Sequence, residues 1–334
     1  MFFKKVIGID LGSHKSRVVI PQKGIVLEQP TIIAVDNQTQ KLITVGIEAE
    51  EMSGKAPSNI SIIKPIKNGV IANYKGTESF IKYLIQESFG RFTFVKPFVV
   101  LAVPSSITSV EKRALEEATI NAGASDVFLF PVSYLSALGA NLEIHKPIGN
   151  MVVNLGAGST ESAVLSFNGI VVSNSIKIGS SAINEALVNY FKKVYGVIIG
   201  ENMSEIIKLR ICSVIPVENQ KSIEVRGRDA SSGMPKSFTV QTNDLVDAIR
   251  PTVTEIILSV RKVLEMTPPE LSSDIVDNGI MATGAGIYLD NLLNLMTKAL
   301  GIPVVIAENP ELATAYGIQE VIENFDKYAS KVKL

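Results

Sequence analysis

Apolar positions along this chain fall into short continuous runs, each closed by a glycine-containing turn and followed by a stretch with helical spacing. Val6 to Asp10 reads as a buried strand, punctuated by Gly12-Ser13 and followed by a returning strand from Arg17 to Ile20. Phe98 to Val103 is a second buried run. Ser109 to Asn121 has helical spacing, with Ser109 as the expected N-cap and Gly123 beyond its end. Val127 to Phe130 predicts a strand, and Ser133 to Asn141 a helix.

The pattern restarts at Met151 to Leu155, a strand that ends in Gly156-Ala157-Gly158-Ser159-Thr160. Strands Glu161 to Phe167 and Ile170 to Ser175 flank Asn168-Gly169, the dipeptide of a type I′ hairpin turn. Helices are expected near Ser181 to Lys193, Ser204 to Ile211 and Leu245 to Met266, and Pro216 to Lys236 reads as an irregular polar excursion. Strand Ile280 to Thr283 ends in Gly284-Ala285-Gly286, ahead of a helix from Leu289 to Leu300. A strand, a glycine turn and a returning strand thus occur twice, at Asp10 and at Asn154. The repetition predicts an α/β chain of two related halves whose turns face each other across a cleft.

Composition narrows the function. A length of 334 residues with 46% apolar content suits two cores. The net charge of −1 and the absence of a dense basic cluster argue against nucleic acid as a partner. One cysteine, Cys212, fits a reducing cytoplasm, and with only His14 and His145 beside it a His/Cys metal site is not expected. The N-terminus lacks the order of a signal peptide, and no apolar run approaches the length of a membrane span.

The turns carry the candidate chemistry. Gly12 permits a tight path, the amides beyond it can cradle a phosphate, and Ser13 adds a hydroxyl donor. Asp10 at the strand end has the chemistry to hold a hydrated Mg²⁺. The turn of Gly156, Ala157, Gly158, Ser159 and Thr160 offers the same parts again, and Gly284, Ala285 and Gly286 open a third close approach. One such turn is weak evidence of a ligand. Three of them, each after a buried strand in a duplicated pattern, predict a nucleotide cleft.

These residues and four longer stretches resemble the MreB family of bacterial actin-like proteins, from Val6 to about Val321. The stretches are Gly24-Ile-Val-Leu-Glu-Gln-Pro30, Lys64-Pro-Ile-Lys-Asn-Gly-Val-Ile-Ala72, Val103-Pro-Ser-Ser-Ile-Thr-Ser-Val-Glu-Lys-Arg-Ala114 and Thr267-Pro-Pro-Glu-Leu271. The resemblance implies an actin-like, duplicated two-domain α/β fold with the nucleotide cleft between the halves. Domain I would span 1–146 plus 310–334, with an insert near 32–78. Domain II would span 147–309, with an insert near 184–250. It also implies ATP or GTP with Mg²⁺, and a cytoplasmic subunit that polymerises head to tail at the inner face of the membrane. Pairing of protofilaments through the exposed side of the Ser109 to Asn121 helix is a further implication, with Leu115 either at that contact or in the core, as is co-polymerisation with paralogues. A small-molecule kinase or phosphatase, or a chaperone-type ATPase, is the alternative within the same superfamily. By the resemblance Asp10, Gly12 and Ser13 belong to the first phosphate loop, and Asp10 reaches the metal through water. Gly156, Gly158, Ser159 and Thr160 belong to the second, Gly284 and Gly286 to the adenosine side, and Glu205 and Lys208 to the ribose and base. On residues alone Glu205 and Lys208 would read as a solvated helix face.

Three departures from the family pattern bear on hydrolysis. Asn154 stands where the family has an Asp, so the second loop loses a charge for the metal. The family's Glu-Glu-Pro stretch, which supplies the acid that orients water, aligns with Phe130-Pro131-Val132-Ser133-Tyr134 and leaves no carboxylate at Pro131 or Val132. His14-Lys15 replaces small and amide residues, and Lys15 either reaches a phosphate or stays in solvent. The chain is therefore expected to bind nucleotide and to hydrolyse it slowly, with Thr160 as the candidate residual group; release as fast as an intact relative's would imply that Ser133 or Thr160 orients the water.

Phe92, Phe94 and Val95 between Arg91 and Lys96 match a lipid-dipping loop of the family, and Phe2-Phe3 beside Lys4-Lys5 offers a second anchor. Packing into the core is the other reading of these side chains. Co-sedimentation with anionic liposomes separates the two. Changing Phe92, Phe94 and Val95 together to Ser is expected to cut binding by about tenfold, because filament avidity multiplies a weak contact. Equal binding by both proteins removes the loop from the account.

Overall fold

The computed structural model describes residues 5–89 and 96–329. Phe2, Phe3 and Lys4, with Phe92, Phe94 and Val95, lie outside the described residues. The first half opens with an antiparallel meander of β1 (Val6–Leu11), β2 (Lys15–Ile20) and β3 (Gly24–Pro30). An insertion follows. β4 (Ile33–Asp36), β5 (Leu42–Val45) and β6 (Ile60–Ile63) form a small sheet, with α1 (Ile47–Glu51) between its last two strands. β7 (Ile66–Lys67) then pairs with β8 (Val70–Ile71). After α2 (Tyr74–Phe89) come β9 (Phe98–Val103), α3 (Ser109–Asn121), β10 (Asp126–Pro131) and α4 (Val132–Gly139).

The second half repeats the plan. β11 (Asn150–Leu155), β12 (Thr160–Ser166) and β13 (Gly169–Ile176) form its meander. Its insertion holds α5 (Ser180–Tyr190), β14 (Val197–Ile198), α6 (Glu201–Ile211), β15 (Ser222–Asp229) and β16 (Pro235–Gln241). The chain continues through α7 (Val246–Met266), α8 (Pro269–Asn278), β17 (Ile280–Thr283), α9 (Leu292–Leu300) and β18 (Val304–Ile306). It closes with α10 (Ala313–Glu323) and α11 (Phe325–Ala329). The large sheets have orders β10-β9-β1-β2-β3 and β18-β17-β11-β12-β13. In each, three strands run parallel and a hairpin meander completes the edge. The duplication expected from the two glycine turns is therefore a duplication of topology.

Each sheet has its own buried cluster, one around Ile9, Phe80 and Leu101 and one around Val153, Ile183 and Ile256. A third cluster joins the halves. It unites Val19, Val100 and Phe130 with Val152, Ala163 and Leu165, through Tyr134 and Leu135 of α4 and Ala315 and Ile318 of α10. The two helices cross at backbone contact. A Cβ at Gly139 would lie 1.8 Å from the Ala313 carbonyl oxygen, and one at Gly317 the same distance from that of Leu135.

Four local expectations change. The N-cap of α3 is Thr108, not Ser109: its hydroxyl accepts from the Glu111 amide while Glu111 accepts from the Thr108 amide, a capping box that Ser109 cannot make. The β12–β13 turn is Phe167-Asn168, with φ of 51° and 59°, one residue before Asn168-Gly169. Ser166 pairs with Gly169, which leaves those two residues as the loop. Part of the Pro216 to Lys236 excursion is the β15–β16 hairpin, whose Val225 and Val240 point into the core while Glu224, Arg226 and Lys236 stay outside. Leu115 is a core residue, and the apolar side chains that α3 exposes are Val110 and Ile120.

The α4–α10 crossing gives a direct test. Gly317→Ala places a methyl group against backbone that cannot retreat, and is expected to lower unfolding free energy by about 3 kcal/mol in urea titration. Gly200→Ala, at a site open to solvent with φ of −79°, should stay within about 1 kcal/mol of wild type. Equal effects would mean that the crossing is not tightly packed.

Candidate functional site

The two glycine turns meet across a cavity of about 940 Å³ between the halves. Ser13 on the first turn accepts a hydrogen bond from the Gly69 amide at 2.9 Å. Gly158 on the second turn approaches so closely that a Cβ there would lie 2.3 Å from Ser13 Oγ and 2.8 Å from Asn68 Cα. Only glycine fits this contact. The amides of Ser180 and Ser181 at the start of α5 donate to the carbonyls of Gly156 and Ala157, which holds the second turn rigid. Asp10, Gly12, Ser13, His14 and Lys15 line one wall of the cavity. Gly156, Ala157, Gly158 and Ser159 line the facing wall. Two concave turns rich in amides and hydroxyls suit a polyphosphate. Burial lowers the pKa of His14, so its imidazole is neutral.

At the far end Gly284, Ala285 and Gly286 reach the cavity, with Gly286 packed on Leu155. Glu205 and Lys208, one turn apart on α6, pair at 2.8 Å. Glu205 also accepts from Asn184 Nδ2 at 2.5 Å. Burial pushes Glu205 up, but Lys208 and Asn184 hold it below the usual carboxylate range. Asn184 Oδ1 is buried without a hydrogen-bond partner, although Asn184 lines the cavity. An acceptor in that position fits a hydroxyl donor on a ligand. Tyr288 lines the same end and donates to Glu311 at 2.7 Å. Lys64 and Glu201 form an ion pair between the two insertions, and Lys67 reaches Glu185 at 3.6 Å.

The metal side differs from expectation. Asp10 faces Arg17, with Nη1 3.6 Å from its Oδ2. Burial pushes the Asp10 carboxyl up to about 6, against the pull of the Arg17 charge. Asn154 contributes no charge, and its Nδ2 donates to Ser136 Oγ at 2.9 Å and to Thr314 Oγ1 at 3.4 Å. Among the described residues no group of three or more His, Cys, Asp or Glu side chains comes together for a metal. Asp10 is thus a single carboxylate at the cavity wall, paired with a guanidinium, and a hydrated Mg²⁺ there would take its other ligands from water and from a ligand's phosphates.

The water-orienting position is equally bare. Val132 lines the cavity and Pro131 is buried beside it. Thr160 is fully buried, donates to the Ile178 carbonyl at 2.7 Å and lies outside the cavity lining. Ser133 is buried too, 3.0 Å from Ser105 Oγ. Neither supplies the residual water-orienting group expected of them. Sequence reading passed over Glu161, which is fully buried behind the second turn. Glu161 accepts from the Ser105 amide at 3.0 Å and from Ser175 Oγ at 2.5 Å, and so ties the two halves together. Its position next to Thr160 at the mouth of a duplicated turn was the available signal.

Comparison with known proteins fits this geometry. The family model described as MreB/Mbl protein matches residues 4–330. The chain belongs to the MreB/Mbl family. It is 40% identical to the cell shape-determining protein Mbl of Bacillus subtilis, over 97% of this chain and 98% of that one. It is 38% identical to the cell shape-determining protein MreB of Escherichia coli, over 98% and 95%. The solved structure of MreB5 of Spiroplasma citri bound to AMPPNP superposes with a TM-score of 0.90 at 29% identity, covering 99% of both chains. The same protein has been solved bound to ADP. The MamK double helical filament, at 16% identity and a TM-score of 0.78, shares the actin-like fold.

Glu161 gives this MreB/Mbl member an unusual pH dependence. Burial raises its pKa from 4.5 to about 7, although Ser175, Ser105 and Ser159 donate to it. The folded state therefore holds a proton that the unfolded state releases, so this residue's contribution to stability falls as pH rises from about 4.5 to 7. Relative to Glu161→Gln, wild type is expected to lose on the order of 3 kcal/mol across that window, read from paired urea titrations. A pH-independent difference contradicts this.

Proposed function

We infer that this chain is a nucleotide-binding subunit of a cytoskeletal filament that serves cell shape or cell organisation. It would work in the cytoplasm, peripherally at the inner face of the membrane. Two facing phosphate-type turns at the Gly158–Ser13 contact carry this reading, in a family whose member from Spiroplasma citri was solved with AMPPNP and with ADP. The adenine nucleotides of that relative favour ATP over GTP. The unpartnered Asn184 Oδ1 beside Glu205 and Lys208 fits the ribose end. The separate strand orders of the two large sheets support a domain division at 1–146 plus 310–334 and 147–309. Among the described residues no helix is long and apolar enough to cross a membrane, so attachment would be peripheral.

A subunit with two unlike ends assembles into open head-to-tail filaments when its rotation does not close. Pairing of protofilaments would use the exposed Val110 and Ile120 of α3. Hydrolysis is slow in this reading, because Val132 and Asn154 provide neither a base nor a metal-side charge. The polymer then depends on the bound nucleotide to close the cleft and not on its cleavage. It would be long-lived, alone or as a co-polymer with an active paralogue.

Two measurements test this. The protein is expected to pellet at high speed with ATP and to stay in the supernatant without it. A monomer under all nucleotide conditions overturns the filament reading. Phosphate release should lie about 10² below that of an intact relative, and Asn154→Asp with Val132→Glu should raise it more than either change alone. A double variant no faster than wild type would place the defect elsewhere.

A further inference from the structure

Apolar side chains left in solvent gather at the far end of the cavity. Tyr288 is 56% exposed and closes the short turn that begins at Ala285 after β17. On α6, Ile206 and Leu209 are 39% and 71% exposed, and their spacing of three puts them on one face of the helix. All three line the same cavity. A single exposed apolar residue needs no explanation, but a group of them inside a concave site marks a surface built for an apolar ligand.

The group is held in place on both sides. The Tyr288 hydroxyl donates to Glu311 at 2.7 Å, and the Gly284 amide donates to the Pro310 carbonyl at 2.7 Å. The ring is thereby pinned to the segment ahead of α10. The Glu311 carboxylate, more than burial, raises the Tyr288 pKa, so the phenol keeps its proton for that bond. The end of α6 is in turn tied to the residues that follow Tyr288. The Val214 amide donates to the Asp290 carbonyl at 3.1 Å, and Asn291 Nδ2 donates to Ser213 Oγ at 3.0 Å. Tyr288 thus keeps its place relative to Ile206 and Leu209, with Glu205 and Lys208 beside them on the helix. A tyrosine whose hydroxyl is committed to the protein offers the cavity its ring alone.

We propose that Tyr288 is the stacking platform for the nucleotide base, with Ile206 and Leu209 completing an apolar slot around it. The proposal rests on the nucleotide reading of the cleft. It adds, to the polar groups of Glu205, Lys208 and Asn184, an apolar contact that holds the flat part of the ligand. Every base presents a π face, and stacking on one aromatic side chain contributes about tenfold or more in affinity.

Titration of the full chain with the triphosphate of 2-aminopurine riboside tests it, because that base loses fluorescence when it stacks on an aromatic ring. Wild type is expected to bind the analogue and quench it. Tyr288→Phe, which keeps the ring and loses the tether to Glu311, should do the same within about threefold in affinity. Tyr288→Ala is expected to bind about tenfold more weakly and to leave the bound analogue unquenched. A Tyr288→Ala protein that folds, by its melting curve, and still quenches the bound analogue overturns the proposal, whatever its affinity. So does one that binds within about threefold of wild type, or a Tyr288→Phe protein that behaves like Tyr288→Ala. If Tyr288→Ala does not fold, Tyr288→Leu, which fills the volume without a ring, is read in the same way. An analogue that binds wild type unquenched, or fails to bind where ATP does, overturns this proposal and leaves the nucleotide reading intact. No binding of either nucleotide by wild type overturns both.

Discussion

Helices α4 and α10 touch through bare backbone, and the positions of both halves follow from that contact. Each helix presents a glycine to a carbonyl of the other, at Gly139 against Ala313 and at Gly317 against Leu135. A side chain at either site would wedge the helices apart. Because they touch, the cluster around Phe130, Tyr134 and Ala315 closes against Val152 and Leu165, and two separately folded sheets share one buried seam. The cleft is what remains above that seam.

The seam also accounts for the chemistry of the cleft floor. Ser136 on α4 and Thr314 on α10 lie 3.0 Å apart, and the Asn154 amide caps them. A neutral amide satisfies this buried hydroxyl pair without bringing in a charge that would need its own counter-ion. The same side chain brings no acid to the cleft floor. On the opposite sheet Asp10 has its charge answered by Arg17. Both strand-end positions are thus committed to the protein itself, and Val132 at the start of α4 has no group to orient water. The two facing turns are built from backbone amides and from Ser13 and Ser159, and do not depend on these side chains.

Much of this was legible in the chain. Strands β1, β9, β11 and β17 are buried on both faces, so they appear as unbroken apolar runs such as Phe98 to Val103. The turns after them are marked by glycine, and their recurrence exposed the duplication. The short strands β4 to β8 escaped notice because runs of two to four residues are too short to show a period. The β15–β16 hairpin was hidden by polar outward positions around Val225 and Val240. In the site, Gly156 to Ser159 announced themselves, but Arg17 did not: a charged residue inside a strand signals an outward face until register supplies partners on both sides. Thr160 was read as part of the phosphate loop, yet the pleat turns it away from the cavity toward Ile178.

The account stands on a cleft that holds a nucleotide and cleaves it only slowly. Chromatography of the nucleotide extracted from washed, pelleted filaments after hours of incubation tests this most directly. The account expects the triphosphate supplied at assembly to be recovered intact, near one per subunit. Recovery of the diphosphate would contradict it, and would require a water-orienting group that neither Val132, Asn154 nor Thr160 provides.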